Sequence, residues 1–382
     1  MLLLGFLASR LNNFQSISET FGSIHLDKRR ERRDMQDVIS CASTPLKKGT
    51  HMNVIKVVRT FSICAMMVTI GAAGARAEDQ EMKSTPRDLV DALHSAFGKH
   101  PNARAVHAKG LVFEGTFTPS TEAATLTTAM HLQKTNSKVV VRLSNFTGIP
   151  DIPDNIPPAN PRGFAIRFIM PDGKMTDIVG HSFSGFPVSN SDEFREFLLA
   201  VAKSGPDAAK PTALDTYLET HPVAKTFLTT QHTPASYAAI TYFGVNAFKF
   251  TNQKGEEHFV RYQFIPADGE KLISPEQMAK ETPDYLQKEI KARIAKGPIR
   301  FQMYAQLAES GDVIDNPSVA WPDTRKRVML GTIQIQKLGA NTPEEDKKLS
   351  FIPSRLPEGI LPADPMIDFR SKAYPLSVQE RQ

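Results

Sequence analysis

The chain has 382 residues, 41% hydrophobic and 23% charged, an ordinary globular composition with material for a large core. Its formal net charge of +5 is mild. The basic residues cluster once, at Lys28, Arg29, Arg30, Arg32 and Arg33, and no basic stripe carries interleaved aromatics, which argues against a nucleic-acid partner.

Residues 1–51 read as an irregular upstream extension, and Met52 as the candidate start. Lys56 and Arg59 then precede the short apolar run FSICAMMVTIGAAG, and Ala75, Arg76 and Ala77 place small residues where a signal peptidase reads them. The run is shorter than the roughly 20 residues that a membrane span needs. Residues 52–77 are therefore expected to be a secretory leader cut after Ala77, giving a periplasmic product with no stable membrane anchor. Cys41 and Cys64 both precede that cut, so the mature chain 78–382 has no cysteine for a disulfide, a thiolate-bound metal or a thiol nucleophile.

In the mature chain, Leu89, Leu93 and Phe97 recur at helical spacing, and Pro101 is expected to end that helix. Strand-like segments follow at 110–117, 126–133, 138–143 and 163–170, the last turning through Pro171, Asp172 and Gly173 into a partner strand that ends near 179. A Pro/Asn/Asp-rich loop of a length that is usually functional separates Phe146 from Pro161. Residues 191–231 read as helical, 245–250 and 258–265 as a hairpin, 275–296 as a helix, and 300–307 and 327–336 as strands. The last 46 residues read as Pro-rich and mostly irregular. The pattern predicts an α+β fold, an antiparallel β-barrel of about eight strands with appended helices.

Three strings carry chemistry. RAVHAKGL begins at Arg104 and contains His107; VVRLS contains Arg142 and ends at Ser144; PEGILPADPMIDFRSKAYP contains Arg370 and Tyr374. On a helix Arg370 and Tyr374 are i, i+4 neighbours, so the guanidinium can hydrogen-bond the phenolic oxygen. An ordinary phenol is un-ionised at neutral pH, and such a pairing favours the phenolate that binds a metal. Histidine near a strand start is an acid–base group of suitable intrinsic pKa.

These strings, with RGFAIRF from Arg162, DIVG from Asp177 and VAWP from Val319 in compatible order, resemble the catalase superfamily over residues 100–375, most of all its small catalase-related peroxidases. The resemblance implies a haem b cofactor and a tyrosinate iron ligand, Tyr374, paired with Arg370. It makes His107 the distal acid–base group, oriented by Ser144, and Arg104 and Arg142 partners of the haem carboxylates, with Arg162 a weaker candidate. Val106, Phe164 and Phe186 would be apolar walls. After the Val-Gly of DIVG, catalases carry an asparagine; this chain has His181 and Ser182, a departure that favours peroxidase turnover over dismutation. Eight residues follow Tyr374 and the N-terminal arm is short, so a monomer or homodimer is expected.

The expected activity is reduction of H2O2 or a small organic hydroperoxide by a small-molecule or protein electron donor. A true catalase, a non-catalytic haem or lipophilic-ligand carrier, and a rearrangement of fatty-acid hydroperoxides remain alternatives, because a fold does not fix a reaction.

Overall fold

A computed structural model describes residues 83–382; the upstream extension, the leader and its cleavage point lie outside the described residues. Helix α1 (Pro86–Phe97) opens on a capping box, with Asp88 N donating to Thr85 Oγ1 at 3.2 Å and Thr85 N to Asp88 Oδ2 at 2.8 Å. It buries Leu89, Leu93 and Phe97. The helix ends before the expected Pro101, because Gly98 adopts φ 84° and its N–H closes on the His94 carbonyl at 2.8 Å.

Strands β1 (Gly110–Pro119), β2 (Ser137–Ser144), β3 (Gly163–Ile169), β4 (Met175–His181), β5 (Tyr242–Thr251), β6 (Glu257–Pro266), β7 (Ile299–Leu307) and β8 (Arg327–Leu338) form one antiparallel sheet. Its order is β4-β3-β2-β1-β8-β7-β6-β5, and the His181↔Phe243 pair between β4 and β5 closes it into a barrel. This is the eight-stranded barrel that the sequence predicts. A short β9 (Ile360–Pro362) adds to β5 through Phe250↔Ile360.

Alternation explains where the core and the cavity go. Val139, Val141 and Leu143 of β2 face a barrel interior filled by Phe113, Phe164, Phe264 and Phe301. Arg142 and Ser144 fall on the opposite face and are nonetheless buried. A second layer covers that face: α1, α3 (Ser191–Ala202), α4 (Ala213–Thr220), α5 (Pro222–Thr229) and the C-terminal helix α9 (Met366–Gln379) share a core of Leu89, Leu93, Phe194, Phe197, Phe369 and Ala373.

Four expectations need correction. The expected strand at 126–133 is helix α2 (Ala123–Leu126) and a 3-10 turn at Met130–Leu132, because Thr127 Oγ1 and Thr128 N bond the Gly359 and Thr251 carbonyls instead of forming a ladder. The helix expected at 275–296 is two, α6 (Pro275–Met278) and α7 (Tyr285–Lys296), broken ahead of Pro283, which disfavours helical backbone at the residue before it. The helical stretch 191–231 is broken likewise at Pro211 and Pro222. The C-terminal region, besides a short helix α8 (Pro343–Lys348), carries the 14-residue α9, which tolerates Pro375 inside it.

Candidate active site

The strand register sets three residues side by side: Ser144 of β2 pairs with Gly163 of β3, which pairs with His181 of β4. The ring of His107, in the segment before β1, lies over the middle of this row. A Cβ on Gly163 would stand 2.6 Å from His107 Nδ1 and 2.5 Å from Ser144 Oγ, so only glycine leaves room.

His107 has φ 58°, left-handed backbone that a non-glycine residue adopts at a cost. The surroundings hold it there. Its N–H donates to the Phe146 carbonyl at 2.8 Å, and Ala108 N to the Thr147 carbonyl at 2.9 Å. Arg142 Nη1 and Nη2 donate to the His107 and Ala108 carbonyls at 2.8 and 3.0 Å. The nearest partner of His107 Nδ1 is the Asn145 carbonyl, 2.8 Å away, with Ser144 Oγ at 3.2 Å. A carbonyl only accepts, so Nδ1 carries the hydrogen and Nε2 the lone pair. Burial pushes the imidazole down to about 4 against the Asn145 bond, aided by the positive charges of Arg142, Arg370 and Arg104. The ring is therefore a neutral proton acceptor at neutral pH.

Asn145 is fixed in turn. Its amide donates to Asp154 Oδ1 at 2.8 Å, while its oxygen accepts from Arg162 Nη1 and Tyr237 Oη, each at 2.6 Å. Arg162 is fully buried in this network, also donates to the Asp154 carbonyl at 2.7 Å, and lies away from the cavity wall. That corrects its assignment to a haem carboxylate. Ser182 is similarly committed, its Oγ accepting from Arg162 N at 2.8 Å.

On α9, Arg370 Nε and Nη2 donate to Tyr374 Oη at 3.0 and 2.5 Å, the i, i+4 pairing that the sequence predicts. Arg370 Nη1 donates to Asn246 Oδ1 at 2.6 Å, and Asn246 Nδ2 to Asp364 Oδ2 at 2.7 Å. Burial raises the Asp364 carboxyl. This Tyr374–Arg370–Asn246–Asp364 chain was not visible in sequence, because Asn246 is remote in the chain and amides mark no motif.

One cavity of about 1290 Å³, counted with its open mouth, gathers all six predicted residues: Arg104, His107, Arg142, Ser144, Arg370 and Tyr374. The expected walls Val106, Phe164 and Phe186 line it too. So does Arg381, which sequence reasoning missed although a signal existed: Arg370, Tyr374, Ser377 and Arg381 are spaced four, three and four residues apart, a helical period carried two residues past the end of α9. His181 is on the wall as well; both ring nitrogens are buried without a partner among the described residues, and burial holds it neutral, near 3.

A sequence model of the catalase family matches residues 88–382. The chain belongs to the catalase family. It is 34% identical over 302 residues to a catalase-related peroxidase of Mycolicibacterium paratuberculosis, covering 78% of this chain and 95% of that relative. A catalase-related peroxidase of Synechococcus elongatus is 31% identical over 303 residues, covering 78% and 88%. A catalase of Pseudomonas syringae is 27% identical, and this chain spans only 54% of its length. Among solved structures, a fungal catalase superposes with TM-score 0.66 at 22% identity, covering 74% of this chain and 60% of the other. Catalase A of Saccharomyces cerevisiae gives 0.65 at 20%, covering 74% and 62%. As a catalase-family member the chain is an oxidoreductase acting on peroxide, and the family and its fold are haem-binding.

Proposed function

We propose that this chain is a haem peroxidase, reducing hydrogen peroxide or a small organic hydroperoxide at the expense of an external electron donor. The observation that carries the reading is the presence of His107 and the Arg370–Tyr374 pair on the wall of one cavity.

The donor set suits haem b. Haem is flat, apolar and carries two carboxylates. Val106, Phe164 and Phe186 offer apolar wall, and Arg104, Arg142 and Arg381 gather guanidinium groups at the same cavity. Arg104 Nε is buried with no partner among the described residues, an N–H left for an incoming acceptor. Tyr374 Oη, already accepting two guanidinium N–H bonds, is the oxygen offered to iron, and the arginines would hold the carboxylates. When bound, haem supplies the redox-active iron at which the peroxide O–O bond is cleaved.

The chain's own residues then manage the proton. His107 Nε2 accepts it from one peroxide oxygen and returns it to the other, so that water can leave. The Asn145 carbonyl keeps Nδ1 protonated throughout and fixes the ring; Ser144 supports the same edge. With His181 where catalases carry asparagine, weak or absent dismutation is expected. The leader-like pattern of residues 52–77 supports a periplasmic location for the mature protein, and we take it to act as a monomer or homodimer.

The test is haem reconstitution of the purified protein, followed by peroxide with and without a reducing aromatic dye. Dye-dependent peroxide consumption with little oxygen release is expected. Oxygen release at a comparable rate without dye would make it a true catalase, and haem binding without turnover would make it a carrier.

A further inference from the structure

The segment 342–350 crosses the arginine edge of the cavity and makes a series of polar contacts there. Its helix α8 buries none of its residues. It is fixed at either end: Asn341 exchanges bonds with the Val112 backbone at 2.7 and 2.9 Å, and Ile352 N donates to Asp177 Oδ2 at 2.9 Å. Between these anchors the segment supplies acceptors to four guanidinium groups, Arg167 Nη2 donating to the Ser350 carbonyl and the other three lying at the cavity. Asp346 Oδ1 accepts from Arg104 Nη2 at 3.0 Å and from Arg142 Nε at 3.2 Å. Arg104 Nη2 also reaches the Asp346 and Leu349 carbonyls, at 3.0 and 2.8 Å. Arg381 donates to the Lys347 and Leu349 carbonyls at 3.0 and 2.8 Å.

The donors are oversubscribed. One Arg104 nitrogen with two hydrogens serves three acceptors, while its buried Nε serves none among the described residues. Arg142 spends Nη1 and Nη2 on the His107 and Ala108 carbonyls, so its bond to Asp346 is the one made to a carboxylate. Without Asp346, like charges would face one another here: burial and mutual repulsion already push Arg142 down to about 10 and Arg381 to about 9. Asp346, in turn, is held below the usual carboxylate range by Arg142 and Arg104 despite its burial.

We propose that Asp346 is a latch: its carboxylate occupies the donors of Arg104 and Arg142, and a haem carboxylate takes them over as segment 342–350 moves aside. The inference rests on the haem reading above. It makes the arginine cluster self-neutralised when latched, and it makes haem binding weaker by the fraction of protein that is latched. The hinge points are Asn341, at φ 53°, and Ile352.

Two measurements on the full mature chain test it. Haem titration of the apoprotein compares wild type with Asp346→Asn, which keeps the size and removes the charge. The variant is expected to bind about tenfold more tightly, the order expected when one charge-assisted hydrogen bond no longer competes. Amide hydrogen exchange of wild type, with and without haem, is expected to show residues 342–350 exchanging faster once haem is bound. Equal or weaker haem binding by the variant, or slower exchange of the segment on loading, overturns the latch while leaving the haem reading intact. If the variant fails to fold, the wild-type exchange result decides alone. No haem uptake by wild type removes both.

Discussion

Arg142 and His107 are joined by a 2.8 Å hydrogen bond from the Arg142 Nη1 donor to the His107 carbonyl, and Arg142 thereby pins a histidine whose backbone is left-handed. A buried guanidinium usually signals an ion pair or an anionic ligand. Here two of its three nitrogens hold the peptide that sets the direction of the His107 ring. The residue that the sequence assigns to a cofactor carboxylate thus also positions the ring proposed as the acid–base group.

The row Ser144, Gly163, His181 makes the ring position sensitive to volume. In Gly163→Ala the new methyl would meet His107 Nδ1 at 2.6 Å, closer than side chains tolerate, so the imidazole must move. A displacement of about 1 Å costs on the order of 10²-fold in rate. Peroxide reduction by Gly163→Ala should fall by about that factor, with haem uptake little changed. Gly205→Ala, whose new methyl meets nothing within 4 Å, is the control and should match wild type.

His107→Ala should load haem and react with peroxide about 10²–10⁴-fold more slowly, the range for removal of a general acid–base group. Stopped-flow mixing with peroxide, read at the Soret band, measures it; a rate within about threefold of wild type would remove His107 from the mechanism. The same assay has a predictable pH profile. With its folded pKa near 4, His107 is neutral above that value and protonated below it, so the rate should fall as pH drops through about 4. An acid limb centred near 6.5, the unperturbed value, would contradict the buried, amide-anchored ring.

Tyr374→Phe removes the oxygen offered to iron and should abolish stable haem incorporation. Arg370→Ala removes both donors to that oxygen and the bond to Asn246, and should retain part of the haem with an altered spectrum. Absorption spectra after desalting read both outcomes. An unchanged spectrum in Tyr374→Phe would sink the assignment of the iron ligand.

Much of this was legible in sequence, for local reasons. Strands β1 to β8 announce themselves by alternation, and Arg370–Tyr374 by a spacing of four on a helix. The segment 126–133 misled because its apolar residues pack against the barrel without a strand partner. Arg162 misled because a charged side chain was expected at a ligand and is instead buried, donating to Asn145 Oδ1. Asp346, Asn246 and Asp364 act through contacts spanning 118 to 242 residues of sequence, which no local pattern encodes.

The last expectation concerns acid stability. His131 is 1% exposed and His181 9%, and none of their ring nitrogens has a partner among the described residues. Burial holds both near 3 in the folded protein and His107 near 4, whereas each of the three takes up a proton near 6.5 when unfolded. Between those values the unfolded chain binds the extra protons, so stability falls as pH falls. The slope approaches about 1.4 kcal/mol per pH unit for each histidine, or roughly 4 kcal/mol per pH unit for the three. Asp364, whose carboxyl burial raises, opposes this only toward the acid end. Urea midpoints of the purified protein should therefore drop steadily from pH 7 to pH 5. His131→Leu, which keeps the contact that the ring makes with Phe168, 4.7 Å between centroids, apolar, should remove about a third of that drop. A midpoint that stays level from pH 7 to pH 5 in wild type would mean that these rings find proton-accepting partners in the folded protein.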